Sequence, residues 1–497
     1  MTLRDDGTTF VREDRFLPPA DSALSASQAP SAPVFQRYEA PAATPKRTVR
    51  SELARMLAAG EIDQATHDDR RAVYVNALAF RGKLSGARKV AMGAVIRNLE
   101  DVAKAGGLTA SRLPALFETV QRNREWWSNG PLLRNGARVS FQGSRLVWQH
   151  YAGEGLQIQW LGTFGKVNGL WQGGFLASLR EIVDEALSLA AQRAGGIAWE
   201  YLFTFDGGRP PWVSGLAQGT AVQALARAGV LLDEPAYLAA AKGGLGVFRE
   251  PPPGGVRVAT PAGAHYLIYS FASGLRVLNG FTQAVNGLHD YAKLTADPEG
   301  VALFAAGDAQ LRAELPAYDT GGWSRYSTVR DSDVHYHVVA RDFLRNLCTR
   351  LTEDAVPLAP PATPTGGALP APVPAPAPSP VGGDPTPYCA AADRWTAYLT
   401  KPPALALISR RVRGGKPAMI KVALNKPSYV TVRLRRGGRT FATLGAHLSS
   451  GVRALRWPKP PRSAGRYSVV IAAKDLTGKF SSGAGELLVL RAKRTKR

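Results

Sequence analysis

The sequence predicts a multidomain protein, with a mainly α domain of the α/α toroid type followed by a C-terminal all-β domain of the immunoglobulin-like sandwich type. Three observations carry this. Between residues 49 and 351, stretch after stretch places apolar residues three and four apart, the signature of amphipathic helices. Residues 402–493 change to period-two alternation broken by Gly, Pro and Asn, which reads as short strands and turns. The charge divides at the same place. Residues 401–497 hold 23 Lys and Arg against Asp475 and Glu486 alone, while the preceding residues hold 39 against 37 acids.

Residues 1–46 are rich in Ala, Pro and Ser without periodicity, and predict a disordered arm. Residues 47–135 form an N-terminal helical region, in which SELARMLAAGEI, DRRAVYVNALAFRGKL, ARKVAMGAVIRNLEDVAKAG and TASRLPALFETVQRN are successive helices. The barrel spans 136–400. It opens with two short extended pieces, RVSFQGSRLVWQHY and GLQIQWLGTFG. The helices FLASLREIVDEALSLAAQRAG, VSGLAQGTAVQALARAG, DEPAYLAAAKGGLGVF, LNGFTQAVNGLHDYAKLT and GVALFAAGDAQLRAEL follow. Small residues on such helices let them pack as antiparallel pairs.

Residues 353–387 are a Pro/Ala-rich loop of polyproline stiffness. YCAAADRWTAYL just beyond it has Ala391, Trp395 and Leu399 on one stripe. It reads as the last helix of the barrel, displaced by the inserted loop. That reading places Cys348 and Cys389 near facing helix ends, where they either bridge in an oxidising compartment or remain two buried thiols. Residues 401–497 complete the chain as the basic sandwich and a cationic tail, with Arg436-Gly437-Gly438-Arg439 as a hairpin turn.

Composition narrows the function. At 45% hydrophobic residues a large core is available, yet no run of about 18 apolar residues exists for a transmembrane helix. The N-terminus as written has no apolar stretch of a secretory signal. A net charge of +23, concentrated in one domain, attracts anionic polymers. There is no P-loop, GxGxxG, HExxH or GxSxG motif. His335 and His337, with Asp331 and Asp333, are the one histidine pair with ligand-like spacing. Neither a metal nor a cofactor is expected.

The chemistry-bearing residues gather in three segments. YDTGGWSRYSTVRDSDVHYH (318–337) is too polar to be read as core and looks like a loop. WEYLFTFDGGRPPWVSGLAQG (199–219) adds Trp212, Gln218 and Glu200, and HYLIYSFASGLRVLNGF (265–281) adds Tyr269 and Asn279. Tryptophans and tyrosines stack on sugars. Arginines fork onto carboxylates, and phenols move protons when a cation is near. The alternative role for each aromatic is to close the end of the barrel.

These residues resemble a known family. WVSGLAQGTAVQALARA, YLAAAKGGLGVF, VLNGFTQAVNGLHDY, LPAYDTGGWSRYSTVR and YH followed by FLRNL look like the C-terminal catalytic domain of D-glucuronyl C5-epimerases, from about Tyr151 to Leu399, in a bacterial homologue. The resemblance implies an isomerase inverting C5 of uronic acid residues (D-glucuronate to L-iduronate type) in an acidic polysaccharide. The C5 proton leaves to a base and another returns from the opposite face. By position it assigns catalysis to Tyr269, Tyr326 and Tyr336, and substrate binding to Arg330, which is offset by one residue. Residue type and neighbourhood add His337 to catalysis and Arg325, Trp212, Gln218, Asn279, Trp323 and Glu200 to substrate binding. One departure stands out: Ile268 occupies the place of an expected glutamate. Either Tyr269, Tyr336 and His337 share its work, or the acid comes from elsewhere, with Glu200 one candidate, or activity is lost.

The implied partner is an anionic uronic-acid polysaccharide, with an acidic cell-wall polymer as a second ligand for the basic domain and nucleic acid disfavoured. Family and cysteines point to an extracellular or cell-envelope location. Two rival readings share the residues: a polysaccharide lyase that follows proton abstraction with β-elimination, and a non-catalytic glycan-binding protein. The basic domain is expected to hold the anionic polymer or to tether the protein to an acidic wall polymer, so truncation at about Lys401 should weaken polymer binding, increase its salt tolerance and leave turnover of short oligosaccharides.

Overall fold

Caps fix the helix starts that periodicity predicts. Thr48 and Ser51 form a reciprocal capping box at helix Val49–Ala58, and the Asp63 carboxylate accepts from Thr66 N–H at the start of Gln64–Lys83. The computed structural model describes residues 1–11, 14–16, 47–355 and 381–492. Most of the expected arm, most of the inserted loop and nearly all of the cationic tail lie outside those residues. The chain divides into two compact units, residues 1–276 with 283–310, and residues 277–282 with 311–497. No described helix is long and apolar enough to cross a membrane.

In the first unit, helices Val49–Ala58, Gln64–Lys83, Gly86–Lys104 and Leu113–Asn129 precede antiparallel strands Arg138–Phe141, Trp148–Tyr151 and Gly155–Ile158. Thr2–Leu3 pairs parallel to the first of these with Leu3 fully buried. So part of the expected arm adds two strands to this sheet, Thr2–Leu3 and, at the edge, Thr9–Phe10, each too short to show periodicity. GLQIQWLGTFG is only half extended: the strand ends at Ile158, and Gln159 caps a helix from Trp160 to Gln172. The helix Leu176–Ser188 is shorter than its apolar pattern. Ala194 (φ 54°) and Gly195 (φ 69°) turn the chain left-handed, and AAQRAG becomes a small hairpin.

Helix Gly215–Leu231 is buried along most of its length, and it packs on the later turns of helix Leu278–Thr295. A Cβ at Gly287 would stand 2.1 Å from the Gly219 carbonyl oxygen, so the two backbones touch there. The glycines of GLAQG and NGLHD therefore serve packing. Across the same pair, Asp290 accepts from Gln223 (2.8 Å) and Arg227 (2.6 Å), satisfying a carboxylate that burial would otherwise penalise.

In the second unit, helices Val334–Ala355 and Thr386–Tyr398 pack together and the disulfide Cys348–Cys389 joins them. The C-terminal region is β-rich. One sheet orders strands Leu405–Leu407, Ala418–Leu424 and Gly451–Trp457. The other orders Arg411–Arg413, Phe480–Leu490, Gly465–Asp475, Ser428–Arg436 and Arg439–Leu448. Inward residues such as Ile420, Val432, Trp457, Val469 and Leu487 form one core, as period-two alternation requires. Gly437 and Gly438 both take positive φ in the turn between Arg436 and Arg439, the hairpin read from the sequence.

Candidate active site

The first unit holds an aromatic shelf. Trp212 stacks on Tyr201 (centroids 4.3 Å apart, 13° between planes), and the edges of Tyr269 and Phe271 meet it at 5.6 and 5.3 Å. Its indole N–H donates to the Phe203 carbonyl (2.8 Å). Trp212 and Tyr269 are thus brought together, both buried, and Tyr269 stacks parallel to Phe271. Ile268, beside it in sequence, is also buried.

Gln218 and Glu200 are bound up inside the same unit. The Gln218 amide donates to the carbonyls of Ile197 and Gly244, each at 3.0 Å, so it ties helix Gly215–Leu231 to strand Gly196–Ala198 and to the C-terminal end of helix Pro235–Gly243. Glu200 is buried and its two oxygens meet three guanidinium N–H groups: Arg112 at 2.6 and 2.9 Å and Arg193 at 2.6 Å. A carboxylate so engaged is fixed between two arginines, which stabilise its charged form. Its chemistry is that of a buried ion-pair centre.

The second unit contains the segment 318–337, and here the expectation of a loop outside the core is corrected. Tyr318, Trp323, Ser324, Tyr336 and His337 are all buried. Polar groups can be core where each finds a partner, and these do. Asp319 accepts from Gly321 N–H (2.9 Å), Tyr398 O–H (3.1 Å), Trp395 Nε1–H (3.2 Å) and Arg394 Nε–H (3.4 Å). It fastens the start of the segment to helix Thr386–Tyr398. Tyr336 and His337 sit in the first turn of helix Val334–Ala355, not in a loop, with Asp333 accepting from Tyr336 N–H (2.8 Å).

His337 is engaged at both nitrogens. Ser324 N–H points at Nδ1 (3.2 Å), and Ser324 Oγ lies 2.8 Å from it. The acceptor at Nδ1 fixes the proton on Nε2, which donates to the Trp395 carbonyl (2.9 Å). Burial pushes its pKa down to about 4, so the ring is neutral at pH 7. Trp323 lies flat against it, and Trp323 Nε1–H donates to the Ser332 carbonyl (2.8 Å).

Tyr326 and Tyr336 meet at 4.6 Å between centroids, and the Arg330 guanidinium sits 4.5 Å above the Tyr326 ring. This cluster joins a cation and one phenol on a short hairpin, Arg325–Ser327 with Arg330–Asp331, to a second phenol on helix Val334–Ala355. Arg325 points its NH1 to the Thr328 carbonyl (3.1 Å) within that hairpin. Asn279 lies in the first turn of helix Leu278–Thr295 and is buried, its Oδ1 without a partner among the described residues.

Sequence reasoning missed the residue that supports this hairpin from the C-terminal region. Lys426 is 1% exposed. Its Nζ donates to the carbonyls of Tyr398 and Lys401, pairs with Asp475 (3.1 Å), and lies 5.4 Å from the Trp323 ring centroid. Asp331 accepts from Ser450 N–H (2.6 Å) and O–H (2.8 Å), and Thr320 O–H donates to the Asn425 carbonyl (2.6 Å). A lysine in a lysine-rich strand pattern gives no signal of burial. Only the isolated Asp475 hints at a pair.

A sequence profile described as D-glucuronyl C5-epimerase C-terminus matches residues 194–356. That segment belongs to this family. Every candidate residue from Glu200 to His337 falls within the epimerase-family segment, whereas Arg112, Trp395, Tyr398 and Lys426 fall outside it. The D-glucuronyl C5-epimerase of Caenorhabditis elegans is 32% identical over 130 residues, which are 24% of this chain and 21% of that protein. The chain therefore spans about a fifth of that relative. Among solved structures, the endo-beta-1,4-glucanase CMCax from Acetobacter xylinum aligns over 39% of this chain and 69% of its own, at 14% identity and TM-score 0.28. A Cellulomonas fimi endo-beta-1,4-mannanase double mutant aligns over 82% and 90%, at 13% identity and TM-score 0.14.

Proposed function

We propose that the protein is a uronate C5-epimerase acting on an anionic polysaccharide, of the D-glucuronate to L-iduronate type. The observation that carries this is the Arg330–Tyr326–Tyr336 cluster within the epimerase-family segment. A guanidinium beside phenols favours the phenolate needed to take a proton, and it offers a fork to the substrate carboxylate where charge develops. In the proposed reaction a phenolate removes the C5 proton, the electrons pass into the carboxylate as an enolate, and a second acid returns a proton from the opposite face. Tyr326 and Tyr336 are assigned proton transfer, Arg330 the carboxylate, and Tyr269 the remaining phenol marked by the family resemblance. His337 is assigned a positioning role, because neither nitrogen is open. Glu200 is assigned to the ion-pair centre. No cofactor enters this scheme.

The fold we assign is an α/α toroid-type barrel over 136–400 with an immunoglobulin-like sandwich over 401–497. The disulfide favours an oxidising, extracellular or envelope location. Incubating the protein with heparosan in D2O and following C5 by NMR tests the activity. Deuterium at C5 without chain cleavage is expected, and Tyr336→Phe or Arg330→Ala should lower it at least 100-fold. An unsaturated product absorbing in the near ultraviolet would make it a lyase instead. Absence of exchange on any uronic-acid polymer would make it a binding protein, with Ile268 as the physical reason.

A further inference from the structure

Alternation along the strand Ser428–Arg436 buries Val430, Val432 and Leu434 and turns Tyr429, Thr431, Arg433 and Arg435 to the opposite face. Strand rise puts successive outward side chains about 7 Å apart. On the neighbouring strands Gly445 and Ala472 stand opposite Thr431, Thr443 and Val470 opposite Arg433, and Ser468 opposite Arg435. The Tyr429 ring leans toward Gly445. Its hydroxyl would stand 2.5 Å from a Cβ at Gly445, and His447 packs at its edge, 4.9 Å between centroids. Only glycine leaves that space, and the ring remains 46% exposed. Lys474 stands directly opposite Tyr429 in register.

The charge on this face is uncompensated. Among the described residues no carboxylate pairs with Arg433, Arg435 or Lys474, and the face's carboxylate, Glu486, is 3.7 Å from Arg466. A flat exposed phenol offers its face to the C–H side of a sugar. Two arginines in line offer forks to successive carboxylates.

We propose that the strip Tyr429–Arg433–Arg435 with Lys474 is a binding site for a uronic-acid polysaccharide chain. This rests on the epimerase reading for its ligand class. Charge complementarity selects an acidic polymer, and the aromatic platform at one end selects sugar rings over a bare anionic surface.

The test uses the full chain and fluorescent heparosan, with binding measured by anisotropy at 50 and 200 mM NaCl and with neutral dextran as comparison. Arg433→Ala with Arg435→Ala should raise Kd at least tenfold at 50 mM and flatten the salt dependence. Tyr429→Ala should raise Kd several-fold at both salt concentrations with the salt dependence unchanged. A charge-matched pair on the other sheet, Lys421→Ala with Arg456→Ala, should change Kd less than twofold, and all variants should keep the wild-type melting temperature. An equal loss from the control pair would overturn the site in favour of diffuse charge. No heparosan binding by the wild type would also overturn it. Tighter binding to single-stranded DNA, lost in the same variants, would overturn the ligand class. Because no turnover is measured, loss of binding in the strip variants stands even if C5 exchange fails. Exchange on a short oligosaccharide stands even if the strip variants bind normally.

Discussion

Trp323 lies 3.9 Å from His337, centroid to centroid, with the rings 9° from parallel. The ammonium of Lys426 lies 5.4 Å from the indole centroid, and the imidazole is neutral. A protonated imidazole here would put a second cation inside a buried stack that already holds one, with both ring nitrogens facing fixed partners.

Acid should therefore unfold the protein in a defined window. The folded His337 titrates at about 4 and the unfolded one near 6.5. Between those values the unfolded chain binds more protons, so stability falls as pH drops from about 6.5 to about 4 and levels off below. The full loss from this one group is about 3 kcal/mol. Denaturant unfolding at pH 7 and pH 4.5 measures it. His337→Phe, already destabilised at pH 7, should lose less between the two pH values than the wild type. An equal loss in both proteins would remove His337 as the cause.

We expect residues 401–497 to do more than tether the chain. Lys426 contacts Tyr398, Lys401, Asp475 and Trp323, and Ser450 donates to Asp331 in the hairpin that bears Tyr326 and Arg330. Lys426→Met leaves Asp475 buried without its cation, and should cost about 3 kcal/mol. A chain ending at residue 401 should lose C5 exchange even on short oligosaccharides. Full turnover by the truncated chain would restore the tether reading.

The limits of the sequence are visible in the same residues. Helix Leu278–Thr295 and the hairpin at Gly437–Gly438 were legible because apolar spacing and turn glycines are local signals. The burial of 318–337 was not. Its polar groups are satisfied in part from helix Thr386–Tyr398 and from Asn425 and Ser450, between about 60 and 120 residues away. Composition cannot distinguish an exposed polar loop from a polar core whose partners are distant. Tyr326, Tyr336 and Arg330 were found by residue type and resemblance. That His337 is held at both nitrogens needed coordinates.

The Cys348–Cys389 bridge closes a separation of 41 residues. Chain-entropy arguments give about 4 kcal/mol for a loop of that size. Reduction, or Cys348→Ala with Cys389→Ala, should lower the melting temperature. It should also loosen helix Thr386–Tyr398, which supplies the carbonyl held by His337. Hydrogen exchange in that helix reports the second effect. Protection unchanged after reduction would show that the contacts of Asp319, His337 and Lys426 hold the helix in place without the bridge.

Glu200 separates two explanations of the missing glutamate at position 268. If Glu200 is the acid that replaces it, Glu200→Gln abolishes C5 exchange while the fold stays intact. The geometry predicts otherwise. Its oxygens are taken by Arg112 and Arg193, whose side chains are themselves mostly buried, and Arg193 also donates to the Gly254 carbonyl (2.7 Å). Glutamine keeps one acceptor oxygen but replaces the other with a donor facing a guanidinium. Two cations are then left inside with no countercharge, a change that costs about 3–5 kcal/mol when a buried pair is broken. The variant should unfold at clearly lower denaturant. Whatever fraction remains folded should exchange C5 deuterium with the wild-type pH profile, since no proton carrier has been removed. A stable Glu200→Gln protein without exchange would reverse the assignment and make Glu200 the catalytic acid.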